Sequence, residues 1–320
     1  MGNYSNQKLA VAVSGGVDSV CLLCWLAQLK MNVTALHVNH ELRPAAKIES
    51  DYVRDLCGRL GVPCHVFNWT GDKPTTGLEA AARTARYKFM TDFCRENNMD
   101  ALLVAHQADD QIETFLMNLA RGSGLTGLAA MRPVAFRDGV KIVRPLLDVP
   151  RAELRAYCDT HAIRYFMDEM NEDSHYTRVR IRKNRHLLAD KLGISDGRIL
   201  LAVKNLARVR DAAECDIAAH ISTVMHDGYA LFSDSFLFDQ APDIRLKLLG
   251  TLVQSIGGNE YQPRLNSLQN ALDKLHSDCK FTLGHCTVRR LRDRILIVRE
   301  GEKTSFRKRD EKQKRHKKRD

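Results

Sequence analysis

The chain has 320 residues, of which 44% are hydrophobic and 28% charged, and a formal net charge of +10. That balance fits one large globular domain or two ordinary ones and excludes a disordered or fibrous chain. No uncharged apolar run long enough to span a bilayer occurs, and the opening MGNYSNQKLAVAV lacks the apolar segment and cleavage site of a secretory signal. The expectation is a cytoplasmic protein with no membrane partner.

Nine cysteines, an odd number, are scattered through the predicted elements, which suits a reducing compartment better than a disulfide framework. Cys21 and Cys24 form a CxxC, but inside the apolar run VCLLCWL, where two small core residues are the simpler reading. The charge is uneven. From Lys303 to Asp320 ten Lys and Arg face three Asp and Glu, so this segment carries +7 and the rest of the chain +3. Almost free of apolar residues, it reads as a disordered basic tail with non-specific affinity for polyanions.

In chain order, Leu9–Val13 reads as a buried strand and Ser19–Lys30 as a helix. Val33–Val38 is a strand, Ile48–Leu60 has helical apolar spacing, and Val62–Trp69 is a short strand. Leu78–Glu96 is a helix, Ala101–Val104 a strand and Asp110–Ala120 a helix. This alternation predicts an α/β fold, a Rossmann-like doubly wound parallel sheet with ligands bound beyond the carboxyl ends of its strands. Next come the small-residue loop GSGLTGLAAM and RPLLDVPRAELRAYC, where Asp148 can cap a helix with Pro150 in its first turn. A basic stretch runs from Thr177 to Arg185. Leu200–His220 reads as a long connecting helix. Beyond it a smaller α+β unit has helices near Ile244–Ile256 and Leu265–Leu275 and strands at Phe281–Arg289 and Ile295–Val298. The predicted layout is a catalytic domain at 1–200, a helical connector at 201–220, a small substrate-binding domain at 221–302 and the tail at 303–320.

Between the first strand and first helix stands Ser14-Gly15-Gly16-Val17-Asp18-Ser19. A glycine-rich turn at a helix N-terminus presents backbone N–H groups and the positive end of the helix dipole to an anion, above all a phosphate. Gly15 and Gly16 allow close backbone approach, and Ser14 and Ser19 add hydroxyls. Asp18 beside phosphate calls for a cation between them, and Mg²⁺ takes carboxylate and phosphate oxygens together. The Walker A pattern occurs nowhere in the chain.

The hexapeptide SGGVDS after a first buried strand resembles the PP-loop of the N-type ATP pyrophosphatases. Further segments narrow the resemblance: HVNHELR from His37, GLEAAAR from Gly77 with ARYKF from Ala85, AHQADDQIET from Ala105, RGSGLTGL from Arg121 and RPLL from Arg144. Together, over residues 8–185, they resemble the tRNA(Ile)-lysidine synthetases. PRLNSLQNALDKL and FTLGHCTVRRLRDRILIVRE are similar, more weakly, to that family's substrate-binding domain. The third domain of longer members is not recognisable, and the basic tail does not resemble it.

The resemblance implies a ligase. The C2 oxygen of the wobble cytidine in the CAU anticodon of tRNA(Ile) attacks the α-phosphate of ATP, and pyrophosphate leaves. The ε-amine of free L-lysine then displaces AMP, so the anticodon reads AUA instead of AUG. ATP and Mg²⁺ are the expected cofactors, with no zinc or iron–sulfur cluster; a homodimer is one expectation for an oligomeric state the sequence leaves open. Residues 14–19 would cradle ATP. Asp18, Arg43, Arg83 and Asp110 are the expected catalytic residues, with Asp18 and Asp110 on Mg²⁺ and Arg43 and Arg83 on phosphate charge. Asp109, Asp110 and Glu113 are candidates for lysine, although Asp109 and Asp110 also stand where helix caps stand and Glu113 could be a surface carboxylate. His106 is a structural histidine or a substrate contact. Tyr176, Arg178, Arg180, Arg182 and Arg185 are candidates for tRNA, against the reading of a charge run as a solvated face. A tRNA thiolase on the same loop is the alternative; it needs reactive cysteines or an iron–sulfur cluster near the site.

Overall fold

The structure, a computed structural model, describes residues 7–39, 45–70, 73–74, 76–166, 177–259, 262–277 and 280–301. Arg43, Tyr176 and the basic tail lie outside the described residues. The chain divides into two units, residues 1–210 and 211–320.

The first unit runs β1 (Leu9–Ala12), α1 (Val17–Gln28), β2 (Val33–Asn39), α2 (Ala45–Leu60), β3 (Cys64–Asn68), α3 (Leu78–Glu96), β4 (Ala101–Leu103), α4 (Ala108–Ala120) and α5 (Leu125–Leu128). It continues through β5 (Val134–Arg137), β6 (Val140–Val143), α6 (Arg151–Thr160), α7 (Thr177–Asn184) and α8 (His186–Leu192) into the long α9 (Asp196–Ser222). The sheet order is β3-β2-β1-β4-β6-β5, parallel except for the edge strand β5. Side chains alternate across it. Leu9 and Val11 pack with α1, α2 and α6 on one face, and Ala10 packs with Tyr87, Met90 and Phe93 of α3 on the other. Cys21 and Cys24 are buried in the first of these cores.

Three features differ from the sequence reading. The β5–β6 hairpin is new; it turns at Asp138-Gly139, both at positive φ, a two-residue Asp-Gly turn of the kind that closes hairpins. It makes the sheet mixed rather than wholly parallel. The basic stretch from Thr177 is the helix α7. Asp148 does not cap α6: Pro150 holds the N-cap position, and the Asp148 carboxylate pairs with Lys204 at 2.9 Å.

The second unit adds β7 (Met225–His226), β8 (Tyr229–Ser233), α10 (Asp234–Phe238), α11 (Pro242–Gly257), α12 (Leu265–His276), β9 (Phe281–Leu283), β10 (Cys286–Leu291) and β11 (Arg294–Arg299). Its antiparallel sheet, in the order β7-β8-β11-β10-β9, packs Val288, Ile295 and Ile297 against Leu248, Leu249, Leu252 and Val253 of α11. The single strand expected at Phe281–Arg289 is two, because Gly284 and His285 turn the chain at positive φ.

One buried side chain ties the end of β1 to its neighbours. His37 of β2 places Nδ1 2.8 Å from the Val13 carbonyl and Nε2 2.9 Å from the Ser50 hydroxyl of α2. A carbonyl accepts, so Nδ1 carries the proton and donates. Burial holds the ring below its ordinary pKa of 6.5. The unfolded chain therefore takes up a proton as pH falls below that value while the folded ring resists it, and stability present above it is lost on acidification. Substituting His37→Phe removes the donor to the Val13 carbonyl, while the Ser50 hydroxyl keeps its bond to Ala46 O, and should cost about 1–3 kcal/mol in urea unfolding at neutral pH. Part of the native loss of stability as pH falls below 6.5 should vanish with the ring.

Candidate active site

The site begins where β1 gives way to α1. Gly15 has φ +91°, a conformation L side chains rarely adopt, and its amide oxygen accepts from Phe166 N at 2.9 Å. Ser19 folds back over the turn: its hydroxyl donates to Gly16 O at 3.0 Å and accepts from Ser14 N at 3.1 Å. Gly16 N–H donates to Ser14 Oγ at 3.3 Å. Gly16 is the N-cap of α1, and no side chain caps that helix. The first-turn N–H groups thus remain available to an anion, with the helix dipole behind them.

Asp18 stands in that first turn. Burial pushes its carboxyl up to about 6, the carboxylates of Asp110 and Asp109 push the same way, and Arg151 and Arg182 pull against them. Arg151 Nε lies 3.6 Å from Asp18 Oδ1, and neither atom makes a hydrogen bond. This buried oxygen is paired only at a distance.

The other carboxylates come from α4, which follows β4 as α1 follows β1. Asp110 closes a capping box, its Oδ2 accepting from Gln107 N at 3.1 Å. Asp109 caps a different helix: its Oδ2 accepts from Arg151 N, the first residue of α6, at 2.9 Å, and its Oδ1 meets the Arg185 guanidinium. Against the cost of burial, these partners hold Asp109 below the ordinary carboxylate range. Glu113 is fully buried, a helical turn further on. Arg182 grips it with two bonds, 2.7 and 3.2 Å, and Arg178 Nε lies 3.1 Å away. Burial pushes the Glu113 carboxyl up, and the guanidinium groups pull it back towards the ionised form.

The structure therefore brings Asp18, Asp109, Asp110 and Glu113 into one charged cluster at the carboxyl edge of the sheet. It turns Arg178, Arg182 and Arg185 inwards onto this cluster, while Arg180 is exposed. Arg178 and Arg182, four residues apart, form one stripe of α7, and Arg185, just past its end, continues it. That spacing was a legible sign of an inward face. Arg151 escaped the sequence reading; its signal was a basic residue in the first turn of a helix, an unfavourable place unless an acid faces it. Arg83 of α3 is exposed and lies over the Tyr87 ring, 5.3 Å from its centroid, outside the carboxylate cluster.

The donor set fits Mg²⁺. Asp18 and Asp110 are oxygen donors, and Asp18 Oδ1 is buried without a hydrogen bond. Among the described residues no three His, Cys, Asp or Glu side chains form a closed metal cage. Mg²⁺ needs none, since it is commonly held by one or two carboxylates and the phosphates of its substrate.

Fold and loop together define an ATP-binding protein of the PP-loop class, and a PP-loop domain family matches residues 1–187. The tRNA(Ile)-lysidine synthase of Wolbachia pipientis wMel is 35% identical over 310 residues, covering 93% of this chain and 72% of the relative. That of Ruegeria pomeroyi is 36% identical over 300 residues, covering 92% and 71%, and that of Rhodopseudomonas palustris 34% over 322 residues, covering 91% and 90%. The chain belongs to the tRNA(Ile)-lysidine synthase family. Among solved structures, the U34-tRNA thiolase NcsA from Methanococcus maripaludis, with its 4Fe–4S cluster, shares the fold at 19% identity and a TM-score of 0.54, covering 64% of this chain and 72% of that one.

A titration follows from the site. With the Asp18 carboxyl at about 6, the free protein should lose affinity for Mg²⁺-ATP as pH falls through about 6 and that carboxylate is protonated. Arg151 opposes this protonation, so Arg151→Met should move the acid limb to higher pH in calorimetric titrations of ATP.

Proposed function

We propose that this chain joins L-lysine to the wobble cytidine of tRNA(Ile) bearing a CAU anticodon, consuming ATP and releasing AMP and pyrophosphate. The observation that carries this reading is Asp18: a half-buried carboxylate in the first turn of an uncapped helix, beside the glycine-rich loop and within electrostatic reach of Asp110. Residues 14–19 hold the triphosphate through backbone N–H groups and the Ser14 and Ser19 hydroxyls. Asp18 and Asp110 would hold Mg²⁺, whose chemistry is to neutralise charge on the phosphates. Arg43 would stabilise negative charge that develops as the cytidine oxygen attacks the α-phosphate, whereas Arg83, held over Tyr87 outside the carboxylate cluster, is not given that role.

Free lysine arrives as a cation and must reach the adenylated cytidine as a neutral amine. Asp110, with one oxygen outside its capping bond, is the carboxylate best placed to receive the ammonium group. Asp109 and Glu113 make the wall behind it, their charges set by Arg185, Arg178 and Arg182. Those three arginines therefore serve the lysine side of the site, and the exposed Arg180 is the α7 residue offered to tRNA phosphate. The setting is the cytoplasm; among the described residues no helix is long and apolar enough to cross a membrane.

The thiolase reading is disfavoured by the thiols beside the loop. Burial pushes Cys21 up to about 12 and raises Cys158, so neither supplies a thiolate at neutral pH.

The test is transfer of labelled lysine, with ATP and Mg²⁺, to unmodified tRNA(Ile) carrying CAU, with elongator tRNA(Met) beside it. Incorporation should occur in the first alone and fall by about 10²–10³ in Asp18→Ala. A folded chain that binds ATP yet transfers no lysine would sink the assignment.

A further inference from the structure

A second group of basic side chains lies apart from the carboxylates, gathered round Tyr87 on the opposite face of the sheet from α1. Arg83 and Arg86 come from α3, Arg137 from the end of β5, and Arg144 follows β6. The guanidinium carbons of Arg83, Arg86 and Arg137 lie 5.3, 5.8 and 4.3 Å from the centroid of the buried Tyr87 ring. Arg144 lies within electrostatic reach of the Tyr87 side chain and donates through Nη1 to Arg132 O at 2.9 Å. His106, beyond β4, feels the same charges: burial pushes its pKa down to about 3, with Arg144, Arg83, Arg86 and Arg178 adding to the effect.

Negative charge nearby is scarce. Among the described residues one carboxylate, Asp138, is within ion-pair reach of the four arginines, 3.8 Å from Arg137 Nε, and it also accepts from Thr91. An aromatic face attracts guanidinium groups but bears no net charge to cancel theirs. Arg137 Nε, Arg144 Nε and His106 Nδ1 are buried and have no hydrogen-bond partner. Like charges packed with unused donors are costly unless something anionic completes them. Forked guanidinium donors in particular match phosphate oxygens.

We infer that Arg86, Arg137 and Arg144, with Arg83 at the rim, form a binding site for a phosphate oxyanion distinct from the loop at Ser14–Ser19. The proposed function offers two sources of that group: a backbone phosphate of the RNA, or the pyrophosphate released from ATP. The site's chemistry is the same for both, and its identity in the cell rests on that function.

The test uses Arg137→Gln, at the end of an edge strand, and Arg86→Gln as an independent second variant; Arg137→Lys retains the charge. Two probes are titrated separately against the full chain, a synthetic CAU anticodon stem-loop and inorganic pyrophosphate. If the group is an RNA phosphate, stem-loop affinity should fall about tenfold. The slope of log K against log salt should shrink by about 0.7, with pyrophosphate binding unchanged and affinity largely regained in Arg137→Lys. If it is pyrophosphate, that affinity should fall about tenfold and the RNA titration should not move. Unchanged binding of both probes in folded variants overturns the site. Lysine transfer by the native chain, run in parallel, separates the two readings: its presence with unchanged binding rejects the phosphate site alone, and its absence rejects the function.

Discussion

Everything at the carboxyl edge depends on how four carboxylates can be packed into one small volume. Asp18, Asp109 and Asp110 come from the first turns of α1 and α4, where helix dipoles favour negative charge, and Glu113 stands one turn further along α4. That preference does not offset burial. Guanidinium groups from α6, α7 and the start of α8 do the rest, and they are shared unequally. Glu113 has two partners and Asp109 has Arg185 with a backbone donor, whereas Asp18 has one distant arginine. The least satisfied carboxylate is thus the one beside the phosphate loop.

This inequality divides the labour. The well-paired carboxylates brace the structure: Asp109 joins α4 to α6 and to Arg185 at the start of α8, and Glu113 fastens α7 to α4. Asp18 and Asp110 keep capacity for what enters from solvent. A cation beside phosphate can be received by Asp18 without first breaking a short ion pair. His37 supports the same arrangement from beneath, fixing the carbonyl one residue before Ser14.

The core of the first unit was legible because β1 and β4 are continuous apolar runs, β2 is mostly apolar, and helices separate them. The loop was legible because two glycines, two serines and a carboxylate have few other uses at a strand–helix turn. What escaped depended on contacts distant in sequence. β5 and β6 are four-residue strands, too short to show a period, although Asp138-Gly139 marked their turn. The basic stretch in α7 looked like a surface for RNA because charge alone does not say which way a helix faces; its partners, Asp109 and Glu113, lie 76 and 69 residues away from Arg185 and Arg182. Asp109 as the cap of α6, rather than of its own helix, is likewise invisible without the fold.

The central claim is that Asp18 couples the phosphate loop to a cation. The direct measurement is calorimetric titration of ATP into the native protein and into Asp18→Asn, each with and without Mg²⁺. The account predicts that Mg²⁺ strengthens ATP binding to the native protein and has little effect on the variant. Equal strengthening in both would contradict it and move the cation to another carboxylate of the cluster.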